Sequence, residues 1–326
     1  MTTYEGLSGS RPGSSSTISQ PAAPDAVDSL AAIISLLRPR TVLSKIVSGA
    51  GKWSSRYARY EDPVFCLILE GSCTLAVDDV GVFELQAGDF VLLPETPGFT
   101  LASDRDMTPT PAAPVAAREV RHGAATGPAT MRMLGGYFQF DRANAPFLVR
   151  LLPLAVHIRR DEAGATRVRR IVELIVEEAG GNYPGGDLIL VRLVEVLLIE
   201  ALRVRSISAA KQEQGLLAGL FDPALARALR GIHADASRRW TVAELARTAY
   251  MSRAVFAERF AQKVGMPPMQ YLLEWRMAIA KDMLRRDDAP LAEVAKGVGY
   301  QSASAFSTAF TRLTGCSPSV FARSTD

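Results

Sequence analysis

The sequence predicts an α+β chain: a small N-terminal β-barrel, two helices after it, and then an all-α unit that uses one helical motif twice. Three observations predict this. Strand-length apolar or alternating runs, with Gly and Asp at the breaks, fill residues 41–140. The hydrophobic period turns helical from Asp161. The C-terminal third repeats itself at a nearly fixed offset. At 326 residues, with 48 % hydrophobic and 22 % charged side chains, the chain has room for two cored domains and a linker.

Residues 1–28, which include MTTYEGLSGSRPGSSSTISQPAAP, are Ser/Pro/Gly-rich and lack the apolar core of a signal peptide, so a disordered tail is expected. Residues 29–160 are expected to form the barrel domain. Within it, VFCLILEGSCTLAVDDVGVFELQAGDFVLLPETPGF (Val64–Phe99) reads as strand, turn, strand, then a Gly-Asp turn into a strand that stops at a proline. MTPTPAAPVAA reads as a mobile loop, and MRMLGGYFQF as a closing strand.

Residues 161–205 are expected as a helical dimerisation segment. Its first helix carries Val168, Ile171, Ile175 and Ala179, or alternatively Val172 and Val176, on one stripe. GGNYPGGD breaks the pattern, and Asp187 can cap the second helix. That helix is apolar over much of its circumference through Leu190, Val194, Leu197, Leu198 and Leu202, so something must cover it. Covering the barrel and pairing with a second copy both satisfy this, and pairing into a homodimer is the reading preferred. Arg192, Glu195 and Glu200 inside the run Leu188–Leu202 argue against a membrane span. Residues 206–220 read as a linker.

From residue 221 the pattern is helical. Asp222-Pro223 fits an N-cap followed by proline at the first helical position, and Thr241–Glu244 fits a capping box. VAELARTAYMSRAVFAERFAQKVGMPPMQY then matches LAEVAKGVGYQSASAFSTAFTRLTGCSPSVF. Ala246 pairs with Ala295, Ser252 with Ser302, Phe256 with Phe306, Phe260 with Phe310, Gly265 with Gly315 and Pro268 with Pro318. The offset is 49 before the turn and 50 after it. Each unit is a short helix, a tight turn and a second helix opened by a serine, which is helix-turn-helix spacing. A helix from Pro268 to about Arg286 separates them and spans roughly 27 Å at 1.5 Å per residue. A spacer of that length suits two helices in successive major grooves, roughly 34 Å apart. Charge agrees: residues 222–326 carry 15 Lys/Arg against 10 Asp/Glu, and the rest is slightly acidic.

These C-terminal residues resemble the AraC/XylS-type DNA-binding domain, through W-T-V-x-E-L-A, M-S-R-x-x-F-x-x-R-F, G-x-x-P-x-x-Y-L-x-x-W-R-M, A-x-x-x-G-Y-x-S-x-x-x-F and G-x-S-P. Residues 56–205 are similar to the cupin-type N-terminal domain of one branch of those regulators, through C-L-I-L-E-G, L-Q-A-G-D-F-V-L-L-P, G-G-Y-F-Q-F and L-L-P-L-A-V-H. The resemblance implies a cytoplasmic transcription regulator that is not an enzyme. Its expected partners are double-stranded DNA, a small effector in the barrel, RNA polymerase and a second copy of the chain. It implies that Ser252, Arg253, Ala254, Ala257 and Glu258 of the first motif and Ser302, Ala303, Ser304, Ser307 and Thr308 of the second face DNA. Arg253 is the candidate for a bidentate guanine contact or a phosphate clamp. Glu258 can accept from cytosine or pair with Arg259 or Lys263. Arg312, Arg276 and Lys281 are phosphate candidates. Relatives often carry F-x-R-x-F where this chain has FSTAF, so the second motif is expected to position more than to read bases.

A metal-holding barrel needs several imidazoles, and the chain has only His122, His157 and His233, none within Val64–Phe99. Where relatives often place histidines, this chain has Cys66 and Phe99. No metal or cofactor is expected, and His157 reads as a hydrogen-bonded structural residue. Trp53, Cys66, Ile68 and Phe99 are the expected walls of an effector pocket. Two alternatives stand beside this reading. One is a redox-responsive regulator acting through Cys66 and Cys73, whose odd spacing puts them on opposite faces of an unbroken strand. The other is a metal-free cupin enzyme with a helical accessory domain.

Overall fold

The computed structural model describes residues 28–60, 62–113, 119–181, 183–208, 215–286 and 289–324. Most of the expected tail, part of the Pro/Ala-rich loop and part of the linker lie outside these residues.

Two sheets face each other. One orders its strands β11-β6-β3-β10-β1-β9: Val156–Ile158, Phe90–Leu93, Val64–Glu70, Met131–Gln139, Arg40–Ala50 and Glu119–Gly123. The other orders them β5-β4-β7-β2-β8: Gly81–Gln86, Ser72–Val77, Phe99–Ala102, Ser54–Tyr57 and Thr110–Ala112. β8 thus falls inside the run read as a mobile loop. The central strands read as unbroken apolar runs because both of their faces are covered. Phe65, Leu67, Phe90 and Leu92 pack on helices, while Cys66, Ile68, Val91 and Leu93 fill the space between the sheets.

The expectation for Cys66 and Cys73 fails, because the strand between them is broken. Gly71, at φ +70°, carries the chain from one sheet to the other, and both thiols end in the barrel interior. A Cβ at Gly71 would lie 2.0 Å from the Thr130 carbonyl oxygen, so only glycine makes this turn.

Helix α1 (Ser29–Leu37) precedes the barrel and is capped by the Asp28 carboxylate, which accepts from the Leu30 and Ala31 amides. A short helix α2 (Ala145–Leu148) runs into a 3-10 turn after β10. Helices α3 (Ala165–Gly180) and α4 (Gly186–Ser208) then lie across the first sheet. The buried stripe of α3 is Val168, Val172 and Ile175. Val194, Leu197, Leu198, Ala201 and Leu202 of α4 are fully covered within the chain. The helices expected to serve dimerisation therefore cover the barrel, because the sheet supplies an apolar face of matching extent. Leu174, Leu188, Ile189 and Val196 remain exposed on their outer side. Asp187 lies inside the first turn of α4 rather than at its cap.

The segment read as linker also contains structure. α5 (Leu216–Leu220) buries Leu216 and Leu217 against the first helix-turn-helix unit. α6 (Pro223–Ala234) follows, capped by Asp222, and α7 (Val242–Thr248) opens with the expected capping box. α8 (Arg253–Val264) completes the first motif. α9 (Pro268–Arg286) is the spacer, and α10 (Leu291–Gly297) and α11 (Ala303–Thr314) form the second motif, closed by α12 (Pro318–Arg323). The spacer feeds two cores. Its Tyr271 and Trp275 join Phe256 and Phe260 in a core continuous with α1 and the helix-covered face of the barrel. Its Met277 and Ala280 join Phe306 and Phe310 in a separate core. Helical periodicity alone allows this, since residues two apart point to different sides.

Candidate DNA interface and effector cavity

The two serines work as the repeat requires. Ser252 Oγ accepts from the Val255 amide at 3.4 Å and Ser302 Oγ from the Ala305 amide at 3.2 Å, so each second helix starts at the same place. Phe256 and Phe260 turn inward, as do Phe306 and Phe310. This leaves Ser252, Arg253, Ala254 and Glu258 exposed and Ala257 half-buried on α8. On α11, Ser302, Ser304 and Thr308 are exposed and Ala303 and Ser307 half-buried. Arg312 is exposed near the end of that helix. Val255, also exposed, extends the apolar part of the first face.

Three basic residues do something other than expected. Arg259 does not pair with Glu258; it binds the Asp222 carboxylate at 2.5 Å and so locks α8 to the start of α6. Glu258 instead accepts from Gln262. Arg276 donates to the carbonyls of Ala236 and Arg238 at 2.7 and 2.8 Å, satisfying the chain after α6. Lys281 donates to the Ala143 carbonyl at 2.8 Å, in the N-terminal half. Arg276 and Lys281 are thus structural, and Arg312 is the phosphate candidate left of that group.

The Lys281 bond belongs to a larger docking contact on α9. Asp141, buried, binds Arg285 at 2.7 Å. Asn144, also buried, donates to the carbonyls of Leu36 and Ala278 at 3.4 and 3.2 Å. Arg38 pairs with Asp282 at 2.5 Å and Arg150 with Glu274 at 2.8 Å. Phe147 packs on Tyr271 with centroids 6.0 Å apart. The stretch following β10 is therefore bolted along one side of the helix that joins the two motifs. Arg285 also stacks over Phe321, 5.0 Å from the ring centroid, which extends the contact to the second motif.

Inside the barrel an open cavity holds about 750 Å³ of empty space, its mouth included. Cys66 and Phe99 line it, as expected. Trp53 and Ile68 do not: both are buried in the interior core but outside the cavity wall. Residue parity finds the face of a strand, not the depth along it. Trp53 instead stacks on His122, with centroids 5.2 Å apart. The wall includes polar groups that the sequence did not single out, Lys45, Tyr57, Tyr60 and Tyr137. Tyr57 shares a 3.2 Å hydrogen bond with His122 Nε2, and Ser55 Oγ meets Nδ1 at 2.9 Å. Burial pushes the His122 imidazole below its ordinary range, and the nearby Lys45 adds to this. Burial likewise lowers Lys45 and raises Tyr57 and Tyr60.

Burial raises the Cys66 thiol, and it pushes Cys73 up to about 12. Burial disfavours the thiolate, the nucleophilic form, at both positions, and neither thiol is exposed, so the redox alternative has less support than the effector reading. His157 lies 3.5 Å from the Asp89 carboxylate and edge-on to Phe83, at ion-pair distance rather than in the expected hydrogen bond.

A cupin family model matches residues 28–205, and a helix-turn-helix domain model matches residues 245–324. A protein of Streptomyces lividans described as an AraC-like transcription regulator is 36 % identical over 90 % of this chain and 97 % of its own. The chain belongs to the AraC-like transcription regulators. A second AraC-like relative, from Streptomyces antibioticus, is 35 % identical over the same shares of the two chains. Among solved structures, the DNA-binding domain of AdpA in complex with a target DNA is 32 % identical, covering 31 % of this chain and 90 % of that one, at a TM-score of 0.29. As in other AraC-like regulators, the helix-turn-helix half is the DNA-binding part and the cupin half precedes it. Both relatives are described as transcription regulators. Among the described residues no helix is long and apolar enough to cross a membrane.

Proposed function

We propose that this AraC-like regulator is controlled by a small effector held in the barrel cavity, and that occupancy is read by the docking contact on α9. One observation carries this. Gly135, Gly136 and Tyr137 of β10 line the cavity, and the same strand runs on into Asp141 and Asn144, which grip α9. A ligand that displaces β10 needs to move only a few residues of chain to change the grip, and a ligand with different affinity for the two arrangements shifts their populations. The cavity is the better carrier than the outer helices, whose apolar inner faces are already covered. The exposed Leu174, Leu188, Ile189 and Val196 remain the candidate surface for a homodimer, and RNA polymerase is the proposed partner once DNA is bound.

The effector part is tested by filling the cavity. A Cβ at Gly135 meets only the Val47 side chain, at 3.7 Å, so Gly135→Leu has room to enter. Purified Gly135→Leu protein is expected to bind a mapped promoter fragment with an affinity about fivefold or more from that of the unmodified chain, a coupling of about 1 kcal/mol. Equal affinities would end the effector reading.

For DNA, we propose that base reading concentrates on α8 through Arg253, with α11 supplying position and backbone affinity. Base-by-base substitution of a bound site should give losses of about 1–3 kcal/mol at the positions nearest the first motif, and these should vanish in Arg253→Ala. Discrimination concentrated under the second motif would contradict it.

A further inference from the structure

The turn between α7 and α8 contains a residue that neither the fold nor the base-reading face accounts for. Tyr250 sits at φ +56°, in the left-handed region that disfavours bulky side chains. The repeat makes the contrast internal. At the offset of 49 the equivalent residue is Gly299, at φ +82°. A Cβ there would lie 2.3 Å from the Ser237 carbonyl oxygen, so the second motif needs its glycine. The first motif has the same bend, yet carries a tyrosine and bears the backbone cost.

That cost is not repaid by burial. Tyr250 is 82 % exposed, more than any other large apolar or aromatic side chain among the described residues. No protein group in those residues hydrogen-bonds its hydroxyl. The ring is nonetheless held in place. Arg227 lies 4.7 Å from the ring centroid, and its own Nε and Nη2 donate to the Thr248 and Ala249 carbonyls at 3.3 Å. The Tyr250 amide donates to Arg247 O at 3.0 Å, fixing the bend. Two further arginines, Arg247 and Arg253, both exposed, lie three residues to either side of Tyr250 in the chain, with Glu244 and Glu258 beyond them. Strain kept at an exposed, braced aromatic is a mark of a contact made with something outside the chain.

We propose that Tyr250, braced by Arg227, is a contact residue for the DNA backbone: its ring packs on a deoxyribose and its hydroxyl donates to a phosphate oxygen at the edge of the groove that α8 enters. Tyrosine hydroxyls and arginines are ordinary partners of phosphates, and such contacts carry affinity without base preference. The proposal rests on α8 being the reading helix of the first motif.

Because the contact is independent of sequence, a random 40-base-pair duplex at low salt is a sufficient probe. Full-length Tyr250→Gly and Tyr250→Asn, both of which tolerate the left-handed bend, are compared with Tyr250→Phe and Arg253→Ala by fluorescence anisotropy and thermal melting. Tyr250→Gly and Tyr250→Asn should melt no lower than the unmodified protein while binding about five- to tenfold more weakly, and Tyr250→Phe should lose a smaller part of the affinity. Unchanged DNA affinity in both variants overturns the proposal, and so does a melting temperature several degrees lower, which would mark a structural role. Lost reporter transcription with intact DNA binding also overturns it, since the ring would then serve a protein partner. If Arg253→Ala also binds a mapped promoter fragment normally, it is the placement of α8 that has failed; if Arg253→Ala weakens binding to that fragment while the Tyr250 variants bind both duplexes normally, it is the Tyr250 contact.

Discussion

Asp141→Ala is expected to separate the two halves of the molecule without unfolding either. Asp141 is 3 % exposed, and the Arg285 side chain that it binds at 2.7 Å is 14 % exposed. Truncating one partner of a buried ion pair is costly, about 3–5 kcal/mol where the pair is well formed. Neither residue belongs to the barrel interior or to the core of a helix-turn-helix unit, so the loss falls on the docking contact. Calorimetry should show one cooperative transition in the unmodified protein and two in Asp141→Ala. Adding Arg285→Met should restore part of the joint transition, because replacing a buried ion pair by apolar side chains is often tolerated better than removing one of its partners. The same variant tests how the cavity speaks to DNA. If β10 acts through Asp141, the effect of Gly135→Leu on DNA affinity should disappear in the Asp141→Ala background. An undiminished effect there would mean that the signal takes another route.

That contact was invisible in the sequence for a physical reason. Asp141 and Arg285, or Asn144 and Ala278, are more than a hundred residues apart, and no local period marks a side chain that will be bonded across a domain boundary. What was legible was what repeats or alternates locally. The serine caps, the inward phenylalanines and the spacer helix stand where the repeat put them, because each is a short-range requirement of a helix. The barrel strands were legible from their apolar runs and glycine breaks. The site was legible only by half. Cys66 and Phe99 line the cavity, while Trp53 and Ile68 share their face but lie beyond the cavity wall. Lys45 and Tyr137 carry no local mark, because one polar group in an apolar strand looks like an outward-facing residue. Helix α1 does carry a local signal, since Leu30, Ile33, Ile34 and Leu37 fall at helical spacing and are buried, but the run is only nine residues and Ala31, Ala32 and Leu36 blur its stripe. Tyr250 needed both the repeat and the backbone: the sequence alone shows a tyrosine opposite a glycine, and only the positive φ shows that it is held there at a cost.

Acidification is expected to weaken the first motif through His233. This imidazole, on α6, is buried against α9, 4.2 Å from the Trp275 ring by centroids, and its Nε2 shares a 2.7 Å hydrogen bond with the Tyr271 hydroxyl. Its Nδ1 has no hydrogen-bond partner among the described residues, so a second ring proton would meet no acceptor there. Burial accordingly pushes the group down to about 3, from an ordinary value of 6.5. Above 6.5 the ring is neutral in both folded and unfolded chains, and its full contribution is present. As pH falls from 6.5 towards 3 the unfolded chain takes up a proton that the folded chain refuses. Stability then drops by up to about 1.4 kcal/mol per pH unit from this group. Urea denaturation at pH 7, 6 and 5 reads this window before most carboxylates titrate. His122 shifts in the same direction, but it reports on the barrel rather than on α6 and α9. His233→Gln should therefore lower stability at pH 7, where the neutral ring fits its site, and flatten the loss between pH 7 and 5 in probes placed on the first motif. A variant with the same slope as the unmodified protein would show that the imidazole at this contact accepts its proton in the folded state.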